Sequence, residues 1–442
     1  MGRWKERGPL AAGGFLLKWL VLGGIVGSFA GSAAALFLEL LDQATDARLA
    51  HPWLLWLLPV VGAGISFLYV RFGKESAKGN NLILDQIHGA EGRVPLRMAP
   101  LVFIGTVLTH LTGGSVGREG TAVQMGGSLA EGVGKLARLD AADRRLILMC
   151  GIASGFGAVF GTPLAGAVFG MEVLAIGLLR SEGLLPCFIA SLTGDLVTRA
   201  WGIRHHDYHL DLAPALSGEL LLKVTLASVA FGLAGWFFSE STRWLKAQYT
   251  RLFPYAPLKS FAGGVIVIAL VYLGGTRDYL GLGLPLIGQA FQGEAPTFAF
   301  LWKSLYTSLT LGAGFQGGEV TPLFVIGSTL GSTLAGVLGV SVPLLAALGF
   351  VAVFSGAANT PLACFIMGIE LFGTGFLPYL FLACAVSYLF SGHTGIYLSQ
   401  RIGAAKTRMG ELPPDATLSS VRQARSSFKA SGNSSPQEAG KP

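Results

Sequence analysis

Two acidic residues in glycine-rich surroundings carry the strongest chemical signal in this chain of 442 residues. Glu119 follows the glycine-rich segment 113–117 and leads into an apolar stretch, and Glu319 follows Gly317 and Gly318 in a similar setting. The first N–H groups of a helix lack helical partners and lie at the positive end of the helix dipole, so they bind anions. Glycine lets an anion approach the backbone closely. This pattern predicts an anion site at a helix start, with a carboxylate beside it.

The two glutamates need a reason to lie in an apolar environment, because a buried carboxylate is costly unless it is satisfied. For Glu119 we infer that the carboxylate occupies the anion's N–H donors when the anion is absent, then takes a proton and swings away. The simpler alternative is a glutamate favoured in the first turn of any helix. For Glu319 a second proton site and a purely structural acid remain equally open.

The other candidate anion ligands offer a donor group, close backbone approach or a small apolar wall. Asn80 carries two amide N–H donors, although it is also suited to be a plain helix cap. Thr321 and Tyr397 offer hydroxyls, although the first also fits a helix N-terminus and the second an interfacial tyrosine. The complete set of predicted anion ligands is Asn80, Gly117, Gly120, Val320, Thr321 and Tyr397.

The composition predicts a polytopic, all-α membrane protein that must position these groups. Charged residues are 13% of the chain, hydrophobic residues are 52% and 63 residues are glycine. A soluble domain this poor in charge could not cover its surface with polar groups, whereas glycine is common where membrane helices approach each other. The charge-free segments long enough to enter a bilayer are 19–38, 53–70, 98–117, 146–171, 320–369 and 371–400. Shorter apolar pieces at 81–89 and 279–293 predict broken or re-entrant helices, which survive in a membrane only when protein covers them.

An internal repeat divides the chain into two halves. Segment 117–121 matches 317–321 at a spacing of 200 residues, and 162–165 matches 360–363 at a spacing of 198, which places Glu172 on Glu370. We therefore predict a first membrane half at 1–200, a polar linker at 201–215, a second half at 216–402 and a disordered cytoplasmic tail at 403–442. Repeated halves with a site between them are typical of transporters. The number of segments leaves parallel and inverted repeats both open.

Other features of the sequence favour no second chemistry. The net charge of +7 is spread in short clusters beside apolar segments, which suits membrane flanks and not a nucleic-acid surface. We expect no metal and no cofactor, and we interpret the histidine-rich stretch 205–211 as a solvated loop. The basic start of the chain indicates a first membrane helix and not a cleaved signal peptide.

An intramembrane hydrolase using Ser154 or Ser391 with His393 is a weak alternative, as is a membrane scaffold with vestigial motifs. The four cysteines are interpreted as small apolar residues: Cys150, Cys187, Cys364 and Cys384.

Over residues 15–402 the chain resembles the CLC family of anion channels and proton-coupled anion antiporters. The string Gly-Arg-Glu-Gly at 117–120 is the family's characteristic motif, and it implies that Glu119 is the external gating glutamate. The resemblance also implies a homodimer with one pathway per subunit, halves related as an inverted repeat, and helix N-termini that meet at a central anion site. It implies a transporter and not an enzyme.

The departures from chloride-type members resemble the fluoride-exporting branch. Thr121 replaces the usual proline, Asn80 lies where a serine loop is usual, and Val320 replaces a phenylalanine. Val173 lies where proton-coupled chloride members carry an internal glutamate, with Glu172 adjacent.

The resemblance to this branch implies a fluoride/proton antiporter in the bacterial inner membrane, with fluoride and protons as its substrates and the lipid bilayer as its surroundings. Glu119 then gates and carries the proton, Glu319 assists proton transfer, and Tyr397 matches the family's central tyrosine. A chloride/proton antiporter or chloride channel of the same fold is the alternative.

Overall fold

The computed structural model describes residues 9–206, 208–407 and 416–430, and most of them are helical. The helices of the first half are α1 (Pro9–Ala50), α2 (Leu58–Leu68), α3 (Asn80–Ile87), α4 (Met98–Leu111), α5 (Glu119–Leu136), α6 (Ala141–Phe160), α7 (Pro163–Glu172) and α8 (Leu184–Ala200). Those of the second half are α9 (Gly218–Leu252), α10 (Ala256–Gly274), α11 (Leu284–Gln292), α12 (Ala299–Gly312), α13 (Val320–Leu338), α14 (Val342–Ala358), α15 (Pro361–Phe372) and α16 (Leu377–Phe390). Helix α17 (Leu418–Ala430) follows them. The predicted all-α membrane architecture is confirmed.

Two very short strands and several tight turns complete the described chain. Strand β1 (Ala175–Ile176) pairs in parallel with β2 (Arg401–Ile402), so the end of the second half is tied to the first. The tight turns are 3₁₀ helices at Pro52–Leu57, Lys74–Lys78 and Ser181–Gly183 and a π turn at Tyr69–Gly73. Within the described ranges, five helical segments are long and apolar enough to cross a membrane.

Helices α1–α8 correspond in order to α9–α16, but the register differs from the one that the sequence match suggests. Helices α4, α5 and α6 begin at Met98, Glu119 and Ala141, and α12, α13 and α14 each begin 201 residues later. Glu119 therefore corresponds to Val320, and Arg118 corresponds to Glu319. A spacing of 200 residues brings identical residue types into register, whereas a spacing of 201 residues brings the helix starts into register. The spacing of 198 for α7 and α15 is confirmed, because these helices begin at Pro163 and Pro361.

The two halves run in opposite directions through the membrane. Helices α1 and α8 are parallel, since Gly23 lies against Ile189 and Gly31 lies against Gly194. Both helices therefore end at the same face, and the link after α8 starts α9 at the face where α1 ends. Because α1 and α9 begin at opposite faces, the repeat is inverted.

Glycines let the longest buried helices cross at backbone distance. A Cβ atom on Gly126 of α5 would lie 2.2 Å from the carbonyl oxygen of Gly151 in α6. In the second half, a Cβ atom on Gly327 of α13 would lie 2.0 Å from the carbonyl oxygen of Gly349 in α14. The high glycine content of the sequence thus has a packing role, as small residues have in membrane helix pairs.

Part of the segment after residue 402 departs from the predicted disorder. Ala416 and Leu418 are buried, and the N–H of Leu418 donates to the carbonyl oxygen of Gln400 at 3.1 Å. Arg422 of α17 forms an ion pair with Glu240 of α9 at 2.7 Å. These contacts with the membrane part stabilise a helix that composition alone did not predict. Residues 408–415 and 431–442 of the predicted tail lie outside the described ranges.

Candidate functional site

The two glycine-rich loops pair through their backbones at the centre of the protein. The N–H of Gly117 donates to the carbonyl oxygen of Gly318 at 2.6 Å, and the N–H of Gly318 donates to that of Gly117 at 2.8 Å. Gly113 and Gly314 turn their loops with φ values of +91° and +96°, which favour glycine. Helices α5 and α13 begin directly after this bridge. Two helix N-termini from opposite halves therefore meet at one place.

The side chain of Glu119 lies at the start of α13 and is completely buried, with 0% of its surface exposed. Its Oε2 accepts hydrogen bonds from the N–H of Thr321 at 3.0 Å and from the N–H of Arg118 at 3.1 Å. Its Oε1 accepts the hydroxyl of Thr321, and Nε of Arg118 lies 3.7 Å from the same oxygen. The carboxylate therefore occupies N–H and O–H donors that would suit a small anion.

The backbone around Glu119 leaves little space for larger residues. A Cβ atom on Gly117 would lie 3.0 Å from Oε2 of Glu119, and one on Gly120 would lie 3.1 Å from Cα of Gly318. The amide nitrogen of Asn80, the first residue of α3, would be 3.2 Å from the same Gly120 Cβ atom. Val320 opens α13 with 1% of its surface exposed. Four of the predicted ligands thus surround the loops and helix starts.

Asn80, Glu319 and Tyr397 face a cavity of about 500 Å³, which we call the inner cavity. Its other lining residues include Lys74, Lys78, Gln124, Lys246 and Lys259. Glu319 is the residue before α13, and its side chain is only partly buried. The structure therefore brings Glu119 and Thr321 into direct contact, while it places Glu319 and Tyr397 in the lining of the inner cavity.

A second, narrow opening, which we call the outer cleft, reaches Thr321 from another direction. It is lined by Arg118, His205, His206 and Thr321, among others. Burial lowers the pKa of His205 to about 4, although Asp195 at 3.7 Å favours the charged form. His205 is therefore neutral near pH 7, and the fixed positive charge of this cleft comes from Arg118.

The two openings lie at opposite ends of α9 and so at opposite membrane faces. The outer cleft includes His205 and His206 of the link that precedes α9, and the inner cavity includes Thr242 and Lys246 near its end. A helix of 35 residues is about 52 Å long, at about 1.5 Å per residue. Thr321, which binds Glu119, lines the outer cleft, and Gly317 and Glu319 of the adjoining loop line the inner cavity.

Sequence reasoning missed two residues that support the site. Gln124 lines the inner cavity, and among the described residues its buried Oε1 has no hydrogen-bond partner. It follows Gly120 by one helical turn, a spacing that could have pointed to it. The side-chain oxygen of Asn81 accepts the N–H of Ser399 at 2.9 Å, which ties the segment carrying Tyr397 to α3. No local pattern indicates this long-range contact.

Glu172 and Glu370, which the repeat aligns, cap each other's helices. Glu172 accepts the N–H groups of Leu362 and Ala363 at 3.0 and 2.8 Å, at the start of α15. Glu370 accepts the N–H groups of Leu164 and Ala165 at 2.9 and 2.8 Å, at the start of α7. This reciprocal contact is what a two-fold relation between the halves produces. Glu172 is therefore a capping residue.

Ser391 and His393, which one alternative paired as nucleophile and base, each have other hydrogen-bond partners. Ser391 donates to the carbonyl oxygen of Tyr388 and accepts from Lys406, while Nε2 of His393 accepts the backbone N–H of Lys406. No group of three potential metal ligands occurs among the described residues, and Asp207 of the histidine-rich stretch lies outside them. The four cysteines are buried and free, as the sequence predicts.

Comparison with known proteins places this geometry in a family. The model of the voltage gated chloride channel family matches residues 61–392. The chain belongs to this family, the CLC proteins. Their members are ion channels and transporters, so the resemblance inferred from the sequence is confirmed.

Individual CLC relatives agree along almost the whole chain. A chloride/fluoride channel protein of Pseudomonas syringae pv. tomato is 49% identical over 415 residues, which cover 92% of each chain. The crystal structure of a CLC-type fluoride/proton antiporter is 35% identical with a TM-score of 0.85, covering 88% of this chain and 98% of that one. A slow cyanobacterial Cl⁻/H⁺ antiporter shares the fold, with a TM-score of 0.74 and 20% identity over 84% of this chain and 94% of that one.

Proposed function

We propose that this CLC protein is a fluoride/proton antiporter that exports fluoride from the cytoplasm in exchange for protons. The observation that carries the proposal is the contact of the buried Glu119 carboxylate with the N–H and hydroxyl of Thr321 at the start of α13. The 49% identical relative and the 35% identical antiporter support fluoride as the transported anion.

The exchange follows from competition for one set of donors. Fluoride is small and accepts strong hydrogen bonds, so it fits the donors that the Glu119 carboxylate now holds. When Glu119 takes a proton, its attraction to those donors weakens and fluoride replaces it. Loss of the proton returns the carboxylate and expels the anion. The hydrogen bonds to Glu119 come from uncharged N–H and O–H donors, while the charged Arg118 lies beside it with Nε 3.7 Å from Oε1.

The surrounding residues divide the remaining work. Asn80 and Tyr397 lead fluoride through the inner cavity, and the backbone at Gly117 and Gly120 lets it approach the helix starts. Val320 supplies an apolar wall that excludes water. Glu319, on the cavity side, is the second proton-transfer group. These roles are assigned from the positions of the residues, and substitution of each residue tests its role.

The distribution of charge supports an inner-membrane location with the inner cavity facing the cytoplasm. Basic residues favour the cytoplasmic side of a membrane protein. At the face where α1 begins lie Lys18, Arg71, Lys74, Lys78, Arg138, Arg144, Arg145 and Arg251. At the face where α1 ends lie Arg48, Arg199, Arg204, Lys223 and Arg277. The family resemblance further supports a homodimer with a separate pathway in each subunit.

Transport by purified protein in liposomes tests the proposal. Wild-type protein should release fluoride with proton movement in the opposite direction, recorded with a fluoride electrode and a pH electrode. Glu119→Gln should abolish the coupled exchange, because glutamine cannot carry the proton, whereas Glu294→Gln on the exposed surface should leave it unchanged.

Parallel recordings with chloride separate the proposal from its alternatives. Equal or greater chloride flux in the wild type would favour a chloride transporter or channel of the same fold. Absence of flux for every halide would favour a scaffold. Full coupling in Glu119→Gln would remove the assigned role of Glu119.

A further inference from the structure

A pocket of about 610 Å³ at the face where α1 ends has no part in the proposed exchange, and we call it the arginine pocket. The end of α1, the 3₁₀ turn that follows it, the segment 277–283 and helix α11 form its walls. Each of these four elements contributes leucine side chains to the lining, and Arg48 and Arg277 are its two arginines. Pockets that hold organic ligands have similar volumes, roughly 300–1,000 Å³, and combine a mainly apolar lining with a few polar groups.

Arg48, in the last turn of α1, carries a positive charge that has no protein partner. Its Nε is fully buried, and this side chain forms no hydrogen bond or ion pair with any residue that the structure describes. Nη2 of Arg48 is 3.1 Å from the position of a Cβ atom on Gly281, so the guanidinium group lies against the wall of the pocket. A buried polar group without a hydrogen bond is costly. A ligand in the pocket can supply the missing partner.

Arg277 brings a second guanidinium group to the same pocket. Its Nη1 donates to the carbonyl oxygen of Pro52 at 3.2 Å, which fixes this side chain beside the 3₁₀ turn. Arg277 and Arg48 lie close enough to repel each other. Guanidinium groups bind phosphate and carboxylate oxygens through pairs of hydrogen bonds, so two neighbouring arginines form a site for an oxyanion.

The two acidic residues of the lining are engaged elsewhere. Asp278 accepts the hydroxyl of Thr276 at 2.6 Å, and Asp42 interacts electrostatically with Arg118 and His206. Within the described ranges, neither acidic residue forms an ion pair with an arginine of the pocket. The positive charge of the two arginines therefore remains available to a ligand.

Aromatic side chains place the rim of the pocket at the level of lipid headgroups. Trp53 and Trp56 belong to the same 3₁₀ turn as Pro52 and Leu55, which line the pocket. Tyr272 of α10 contacts Trp56, with ring centres 5.3 Å apart, and more than half of each of the three aromatic residues is exposed. Exposed tryptophan and tyrosine are characteristic of the interface between membrane and water. The pocket therefore opens where a phospholipid carries its phosphate.

We propose that the arginine pocket binds a phospholipid, with the phosphate between Arg48 and Arg277 and part of an acyl chain against the leucines. Basic pockets between membrane helices bind phosphate-bearing headgroups in this way. A small hydrophilic oxyanion would satisfy the arginines but leave the apolar walls uncovered. Leu284 lines both this pocket and the outer cleft, so the bound lipid packs against the helix that forms one wall of that cleft.

Titration of detergent-solubilised protein with phosphatidylglycerol, followed by native mass spectrometry, tests the phosphate site. Arg48→Gln and Arg277→Gln should each weaken the tightest lipid adduct about tenfold, because each variant loses hydrogen bonds to a charged group. Arg204→Gln is the matched control, since Arg204 is exposed at the same face but does not line the pocket. Arg48 has no protein partner to lose, so Arg48→Gln should not lower the melting temperature of the delipidated protein.

Gly288 of α11 allows the apolar part of the pocket to be tested separately. It lies in the lining, and a Cβ atom at this position would meet no other atom within 4 Å. Gly288→Leu should therefore fill part of the pocket without disturbing its neighbours. In liposomes that contain phosphatidylglycerol with a photoreactive diazirine in its acyl chain, this variant should show at least about threefold less labelling of α11 than the wild type. Gly288→Ala, which adds far less volume, is the control.

Several results would overturn the lipid site. Unchanged binding in either Arg48→Gln or Arg277→Gln would remove the phosphate site, and an equal loss in Arg204→Gln would indicate attraction to general surface charge. Displacement of the lipid by millimolar inorganic phosphate would indicate a site for the free oxyanion. Equal labelling of Gly288→Leu and Gly288→Ala would remove the acyl-chain site. Lipid binding is measured without transport, so these results are distinguishable from a failure of fluoride–proton exchange.

Discussion

Glu119 is the residue at which the proposed mechanism brings the anion and the proton together. Its carboxylate is buried yet fully satisfied, because backbone N–H groups, the Thr321 hydroxyl and nearby Arg118 surround it. A buried carboxylate is stable only with such partners. The same partners can serve an anion that arrives when the carboxylate is neutralised. In the proposed mechanism, occupancy of the donors by the side chain is the resting condition of the exchange site.

Substitution of Thr321 tests the donor side of this exchange. Thr321→Val keeps the backbone N–H but removes the hydroxyl, and a hydrogen bond to a charged group contributes about 1.5–3 kcal/mol. We expect the KM for fluoride to rise about tenfold in liposome efflux, since about 1.4 kcal/mol corresponds to that factor. Thr329→Val, in the same helix and bonded to the carbonyl oxygen of Val325, is the control. An unchanged KM in Thr321→Val would mean that the hydroxyl does not contact the anion.

The sequence predicted that Glu119 lies at a helix start, but it did not predict the partner of its carboxylate. A glycine-rich loop before an apolar stretch indicates a helix start, and this local signal sufficed. The carboxylate contacts α13 of the other half because the backbone bridge between Gly117 and Gly318 holds the two loops together. Such a bridge joins residues about 200 positions apart, and no local pattern reveals it.

At the scale of elements, the reciprocal caps of α7 and α15 tie the halves together. Glu370→Gln should lower the free energy of unfolding by about 1–3 kcal/mol, because one amide end cannot accept both N–H groups of α7. Glu172→Gln should have a similar effect at α15. Thermal unfolding of detergent-solubilised protein measures both, with exposed Glu294→Gln as the control. Unchanged melting temperatures in both variants would show that the caps do not stabilise the fold.

The glycine crossings make an equally specific prediction. Gly327→Ala places a methyl group 2.0 Å from the carbonyl oxygen of Gly349, so α13 and α14 must separate, at a cost of about 1–3 kcal/mol. Gly336→Ala in the same helix meets no atom within 4 Å and should be neutral or stabilising by up to about 1 kcal/mol. Thermal unfolding should rank the two variants in that order. The reverse order would contradict the described packing.

The elements also differ in how well the sequence predicted them. The charge-free segments correctly predicted the apolar helices, and the short pieces became α3 and α11. The repeat in the sequence aligns Glu119 with Glu319, whereas the helix starts align Glu119 with Val320. The two alignments differ by one position because the first matches residue types and the second matches positions in the fold. Helix α17 was missed because its stability comes from Leu418 and from Arg422 with Glu240, and not from its own composition.

For the whole molecule, the inverted repeat explains why one site can serve both sides. Helix starts from opposite halves meet at the Gly117–Gly318 bridge, with the outer cleft at one face and the inner cavity at the other. On the proposed mechanism, departure of the Glu119 side chain from the Thr321 donors connects them. The account therefore depends on competition between this carboxylate and the anion.

Fluoride affinity measured as a function of pH tests that competition most directly. Isothermal titration of purified protein should show binding that strengthens with falling pH by up to about tenfold per unit, because one proton must neutralise Glu119 for each fluoride bound. In Glu119→Gln the affinity should be independent of pH over the same range. A pH-independent affinity in the wild type, or the same pH dependence in Glu119→Gln, would contradict the account.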